Sequence, residues 1–345
     1  MKMLVHLWLM VVSVIVLIAC ERRPLVEADG VTDLHVRIHT AGIPNVTTGI
    51  YNPALQPQQL NPEVMRLLIY DPSGEQLIAQ AFTNERSDEE GITVLSRRVP
   101  MMEGDYRVLG YNFDLADTKV EGEQQAATLR ASTSEITQQL YARFGSRAEE
   151  FGTIYYEPEH LFVAQKPEVH IVSTSELQRV EMDAETVVDT YYVQIRIEGM
   201  EYLAEKANGL ALLSGLAPSL YLADESCREE PSAIYFELVK STDERITEGT
   251  KNVLCAHFNT FGKMPDAASE LRITLTVLAR DGSRHEKVID MTPIFATEDA
   301  RERQWLLIDE VWSIPKPDNP DDGGGGFAPS VNDWDDIEEV IPIGR

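Results

Sequence analysis

Cys20 is placed for one specific covalent reaction. It closes the run Leu17-Ile18-Ala19-Cys20, and polar residues follow at once: Glu21, Arg22 and Arg23. A small residue before a cysteine at the end of an apolar run is the lipobox pattern. The thiolate takes a diacylglyceryl group, cleavage frees the α-amine, and the amine is acylated in turn. Several acyl chains give firm anchoring, because each buried methylene contributes about 0.8 kcal/mol. Upstream, Met1 to Met10 carries the cation Lys2 and no acid, and Leu7 to Ala19 is apolar except for Ser13. That run is shorter than the ~20 residues of a spanning helix. Residues 1–19 therefore read as a removed signal peptide, and 20–31 as a lipidated tether. The plainer alternative is an ordinary signal peptide with a chance cysteine.

Other reactive residue types lack the spacing that chemistry needs. The sequence holds no G-x-S-x-G, no phosphate loop, no H-E-x-x-H and no paired C-x-x-C. No catalytic residue is expected, nor any metal site or cofactor beyond the lipid on Cys20. His35 and His39 would share a strand face, but no further ligand stands at useful spacing. Asp318, Asp321 and Asp322 do not match a calcium loop and read as an acidic linker. Cys227 and Cys255 could form a disulfide outside the cytoplasm or serve as small buried hydrophobes. Tyr155-Tyr156 and Tyr191-Tyr192 read as strand residues with one ring of each pair buried, rather than as a sugar-stacking platform.

The elements around these residues are mostly strands. Leu34 to His39 alternates strictly between apolar and polar residues, the mark of a half-buried strand. Residues 45–62 are loop-like. Residues 64–70 and 76–82 form a hairpin across Asp71-Pro72-Ser73-Gly74. Further strands are expected at 92–99, 104–111, 161–164 and 169–173. One helix is expected to open at Thr133-Ser134-Glu135-Ile136. Its face would be Ile136, Leu140, Tyr141 and Phe144, with a stop at Gly145. A second strand-rich segment starts near Leu177, with strands at 187–197, 220–222, 234–239, 253–258, 271–279 and 286–291. Asp281-Gly282 turns the last pair. Residues 203–213 are ambiguous, and Arg303 to Trp312 is apolar enough to pack on this segment.

These short strands indicate sandwiches, not a parallel α/β sheet. The fold class is all-β. Two tandem β-sandwich domains are expected, at 32–175 and 176–314. A Gly-rich linker and tail occupy 315–345. With 57 acids against 30 Lys and Arg, the net charge of −27 excludes a nucleic-acid partner. The tail follows four glycines and carries Phe327, Val331, Trp334, Ile337, Val340, Ile341 and Ile343. Such apolar content is unusual in a disordered tail. It suits docking as an added strand, on its own body or on a neighbour.

The order of several segments resembles a known family. They are Cys20-Glu21-Arg22-Arg23-Pro24-Leu25, the Leu34–Ile38 strand, Gly104 to Asp114, Phe258-Asn259-Thr260-Phe261-Gly262, and the tail from Trp334 to Ile343. Together they resemble the Bacteroidales lipoproteins related to fimbrial anchor and fimbrillin-like subunits, over essentially the whole mature chain. The resemblance implies transthyretin-like sandwiches, outer-membrane attachment through the lipid, and a non-enzymatic role as a fimbrial anchor or accessory subunit. Its partners would be fimbrillin-like pilus subunits, joined by β-strand donation. Two departures stand out: the acidic residues around Trp334, and Arg22-Arg23 where a run of acids would mark surface export. Cell-surface and periplasmic orientations both stay open. The alternative function is a surface glycan-binding lipoprotein of a nutrient-uptake system, which would show clustered exposed aromatics.

Overall fold

The computed structural model describes residues 30–40, 62–113, 115–144, 146–174, 176–205, 208–264 and 270–317. Two large curled sheets dominate it. The first takes β1 (Val31–Thr40), β2 (Met65–Tyr70), β3 (Leu77–Phe82), β4 (Glu85–Glu89), β5 (Ile92–Met102), β6 (Gly104–Asn112), β10 (Phe162–Ile171) and β11 (Gln178–Thr186). Its strand order is β3-β2-β6-β10-β11-β1-β5-β4. The second takes β12 (Asp189–Glu198), β13 (Gly209–Leu216), β15 (Ser232–Thr242), β16 (Asn252–Thr260), β17 (Arg272–Leu278), β18 (Arg284–Asp290) and β19 (Trp305–Ser313). Its order is β18-β17-β13-β15-β16-β12-β19. The expected all-β, sandwich-like fold is what the chain adopts.

The two sheets are one topology used twice. The first bends between β10 and β11, which pair only over Phe162–Ala164. That bend leaves the halves β3-β2-β6-β10 and β11-β1-β5-β4 face to face. The second bends within β15, whose residues 232–238 pair β13 while 239–242 pair β16. Its halves are then β15-β13-β17-β18 and β19-β12-β16-β15. Replacing β3 and β4 by the two ends of β15 turns one order into the other. In both sheets the first strand lies parallel to the last, β1 to β11 and β12 to β19. Nothing in the sequences of the two halves signals this repeat.

Alternation decides which faces are covered. On β1, Leu34, Val36 and Ile38 are fully buried and pack with Leu67 and Ile69 of β2, Phe162 of β10 and Met182 of β11. The second sheet encloses Val193, Ile195, Phe236, Phe258, Leu275 and Leu306. Each such side chain contributes about 1.5–3 kcal/mol when fully buried. A third cluster joins the sheets. Leu68, Tyr70, Leu109 and Tyr111 on the outer face of the first meet Ala217, Leu220, Leu222 and Phe261 of the second. A small sheet, β7 (Lys119–Glu121), β8 (Arg130–Ser132) and β14 (Ser219–Tyr221), spans this joint in the order β14-β8-β7.

The helical content differs from expectation. The helix foreseen from Thr133 starts at Thr137, whose hydroxyl caps α1 (Gln138–Ala142) by accepting from the Leu140 N–H. Residues 134–136 instead pair with β9 (Ile154–Tyr156), through Ile136 N–H to Ile154 O and Tyr156 N–H to Ser134 O. Tertiary pairing outcompeted local propensity there. A second short helix, α2 (Ser146–Phe151), follows. The second sheet carries α3 (Thr292–Phe295) and α4 (Glu298–Arg303), neither anticipated. Among the described residues no helix is long and apolar enough to cross a membrane.

Candidate functional site

Cys20 and the tail residues Phe327, Val331, Trp334, Ile337, Val340, Ile341 and Ile343 lie outside the described residues, as do Asp318, Asp321 and Asp322. The exit toward the tail is described. β19 ends at Ser313, and the Ile314 N–H donates to Glu198 O at 2.8 Å. Ile314 is buried. Gly199 makes this approach possible: at φ +80°, a Cβ there would stand 2.5 Å from Ile314 O.

Three of the sheet edges differ in chemistry. β4 reads Glu85-Arg86-Ser87-Asp88-Glu89 and is exposed throughout. β18 carries Arg284, Glu286, Lys287 and Asp290. Charges of this kind discourage unwanted strand pairing. β3 reads Leu77-Ile78-Ala79-Gln80-Ala81-Phe82, with no charge. Ile78 and Phe82 are exposed there, and so is Phe113 beside it. The Phe82 and Phe113 rings meet edge to face at 4.9 Å, and the Arg66 guanidinium lies 4.6 Å from the Phe82 centroid. β3 therefore lacks the charges that guard the β4 and β18 edges.

Behind β3, Glu123 gathers polar groups of the joint. It accepts from Arg66 at 2.9 and 3.2 Å, and from the Tyr111 hydroxyl at 2.5 Å, while its backbone oxygen accepts from the Tyr70 hydroxyl at 2.8 Å. Burial alone would raise the Glu123 carboxyl, but Arg66 and Tyr111 hold it below the usual carboxylate range. The loop from β9 to β10 ties the sheets together from another side. The Asn259 N–H of β16 donates to Glu157 at 2.9 Å, and its side-chain amide donates to Pro158 O at 3.0 Å. Burial, only partly offset by that N–H, lifts the Glu157 carboxyl to about 7.

A further polar network lies on the outer face of the second sheet. Asp243, with a side chain 2% exposed, accepts from Gln194 at 2.9 Å and from Arg245 at 2.7 and 3.0 Å. The Tyr192 hydroxyl donates to Gln194 at 2.7 Å. Tyr192 and Gln194 are two apart on β12, but Asp243 is far from both in sequence, and no spacing signal could have joined it to them.

Cys227 and Cys255 are both free thiols, so the disulfide allowed by their count does not form. They belong to different clusters. Cys255 is fully buried with Tyr192, Val253 and Trp305, whereas Cys227 packs at the joint. Burial raises both thiols above their ordinary range. His39 Nε2 lies 2.7 Å from Glu181 Oε2. No group of three or more His, Cys, Asp or Glu among the described residues is arranged to hold a metal. Tyr191 and Tyr192 are both buried, on opposite faces of β12: Tyr191 stacks on Phe258, while Tyr192 packs near Trp305. The expectation of one buried ring was too low for this pair. Tyr155 and Tyr156 are half-buried.

Comparison with known proteins bears on this geometry. Residues 55–237, just over half of the chain, match the family described as a domain of unknown function, DUF5119. A Bacteroides ovatus protein, provisionally named fimbrium anchoring subunit Fim4B, is 23% identical and is aligned over 96% of this chain and 96% of its own length. Among solved structures, a provisionally assigned adhesin from Bacteroides ovatus superposes with a TM-score of 0.58 at 19% identity, over 87% of this chain and 98% of that one. The fimbrial anchor protein Mfa2 from Porphyromonas gingivalis covers 80% of this chain and 88% of its own, with a TM-score of 0.45 at 14% identity. The resemblance seen in the sequence holds: the relative aligned end to end with this chain bears the name of a fimbrium anchoring subunit.

Proposed function

The chain belongs to the DUF5119 family, and from that premise we propose that it is a non-enzymatic fimbrial anchor or accessory subunit held on the outer membrane by a lipid on Cys20. The end-to-end similarity to a fimbrium anchoring subunit carries this reading. The doubled sandwich, with its uncharged β3 edge, supports it. The body would consist of two transthyretin-like domains meeting between β11 and β12. The tail would act as a donated strand, placing Phe327, Val331, Trp334, Ile337, Val340, Ile341 and Ile343 against the sheet of a fimbrillin-like neighbour. Backbone hydrogen bonds would give affinity there and the apolar side chains selectivity. Pro342 has no N–H to give and would sit at the end of that strand.

Deletion of residues 327–345 tests the donation. Loss of pilus subunits from a pull-down on the shortened chain is expected, and unchanged recovery would refute it. Cys20→Ser tests the anchor separately. The variant should leave the membrane fraction and keep an unacylated N-terminus by mass spectrometry. Continued membrane partition of the variant would refute lipid anchoring.

A further inference from the structure

Exposed apolar side chains meet at one end of the first sheet. Val31 begins β1 and pairs with Met102, the last residue of β5. Val172 and Leu177 bracket the turn from β10 to β11. The buried Thr32 gathers these segments: its hydroxyl donates to Val172 O at 3.0 Å and accepts from the Thr174 N–H at 3.2 Å. The Val172 N–H donates to the Gln178 side chain at 3.2 Å, and the Tyr106 hydroxyl donates to Met102 O at 3.1 Å. Yet Val31, Met102, Val172 and Leu177 stay between 36% and 55% exposed. Apolar residues scattered singly on a surface are ordinary. These four converge, and they do so at strand ends and turns, where polar residues and glycine are the usual choice.

The charge of this end narrows what could cover it. Residues 30–33, 101–104 and 172–177 hold Asp33, Glu103 and Glu176 but no Lys or Arg. All three acids are exposed. Two copies of the chain docked end to end would set these acids against one another, and an anionic surface would repel them in the same way. The position of this end in the chain supplies the rest. Val31 follows Cys20 across a tether that spans at most about 40 Å when fully extended. β11 runs away from this end, parallel to β1, and leads into β12 and the second sheet. The end is thus the part of the body joined directly to the tether, and the second sheet lies on the far side.

We propose that this end of the first sheet rests on the bilayer and sinks Val31, Met102, Val172 and Leu177 into the interface of zwitterionic lipid. The inference rests on the acylation of Cys20 put forward above. Apolar groups at an interface settle about 5–10 Å into the boundary between headgroups and acyl chains. Four partly exposed side chains alone bind a bilayer weakly. The tether makes their contact intramolecular, at an effective concentration of roughly millimolar order, so weak affinity suffices. Glu103 and Glu176 then face the ammonium groups of phosphatidylethanolamine. β19 runs parallel to β12, away from the joint between the sheets, so its exit at Ile314 is directed away from the lipid.

The test takes the mature protein purified from its own membrane, with the mass of the Cys20 peptide measured first. The protein is placed in liposomes of phosphatidylethanolamine and phosphatidylcholine, the latter carrying a photoactivated diazirine in its acyl chain. After illumination, lipid adducts are mapped by mass spectrometry. Adducts on residues 101–104 and 172–177 should exceed those on β18 by about tenfold or more. Val288 of β18 is comparably exposed, at 43%, but belongs to the second sheet. Met102→Ser/Leu177→Ser should cut labelling of this end about fivefold or more. Both side chains are exposed, so the variant should keep the melting temperature of the parent. An acylated protein unlabelled at this end, or a folded variant labelled like the parent, would overturn the proposal and leave the lipid anchor standing. Cross-links joining two copies through this end in place of lipid adducts would overturn it equally. A Cys20 peptide without acyl groups would remove the anchor and this inference with it.

Discussion

Replacing Glu157 by Gln should make the protein more stable at pH 8 and leave it nearly unchanged at pH 4. Glu157 lies in the loop from β9 to β10, at the joint between the sheets, and accepts from the Asn259 N–H. Burial lifts its carboxyl from 4.5 to about 7. For an acid whose folded-state value is raised, the contribution to stability is full below 4.5. It declines as the unfolded chain ionises and is gone once pH has risen through about 7. At roughly 1.4 kcal/mol per pH unit, the loss is at most about 3 kcal/mol. Gln keeps an oxygen for Asn259 and carries no charge, so its stability is independent of this ionisation. The variant should therefore exceed the parent by up to about 3 kcal/mol at pH 8, with the difference closing by pH 4. Urea unfolding of both proteins at pH 4, 6 and 8 measures this through the shift in midpoint. A pH-independent difference, or a variant weaker than the parent at pH 8, would refute the buried-carboxyl argument.

Two more expectations come from the second sheet and the thiols. Asp243→Ala strands the Gln194 amide and removes both legs of the Arg245 fork. Arg245 is 48% exposed and can turn to water, so the cost should be about 2–4 kcal/mol rather than that of a fully buried ion pair, measured by thermal melting. Because Cys227 and Cys255 are free, adding a reductant should leave the melting temperature unchanged. A thiol reagent should modify Cys227 before Cys255, and a fall of several degrees on reduction would reveal a bridge.

The legible part of the fold was the part with clean alternation. β1, with Leu34, Val36 and Ile38 turned inward, and the β2–β3 hairpin across Asp71 to Gly74 could be placed from the residues alone. β4 could not, because all five of its residues are polar; it exists because β5 offers it a hydrogen-bonding edge. β13 was ambiguous for the opposite reason. Its run Gly209 to Leu216 is buried on both faces, which erases the period of two. β11 does alternate through Val180, Met182 and Ala184, but short or flexible apolar residues between charges give a weak signal. Polar assemblies such as Glu123 with Tyr70, Tyr111 and Arg66 are made by long-range register and leave no local trace. Cys20 lies outside the described residues, and its reading rests on the linear segment Leu17 to Arg23 alone.

The parallel alignment of each first strand with its last has a mechanical consequence. A pull between Val31 and Thr186 draws β1 and β11 past one another along their length. The seven register pairs from Leu34 to Thr40 are then loaded together instead of opening one at a time. A pull between Asp189 and Ser313 loads β12 against β19 in the same sense. Forced unfolding is governed by the barrier to leaving the native state, and shear across a whole ladder raises that barrier more than peeling does. A chain fixed at its beginning and tugged at its end is thus built to withstand traction along its own axis.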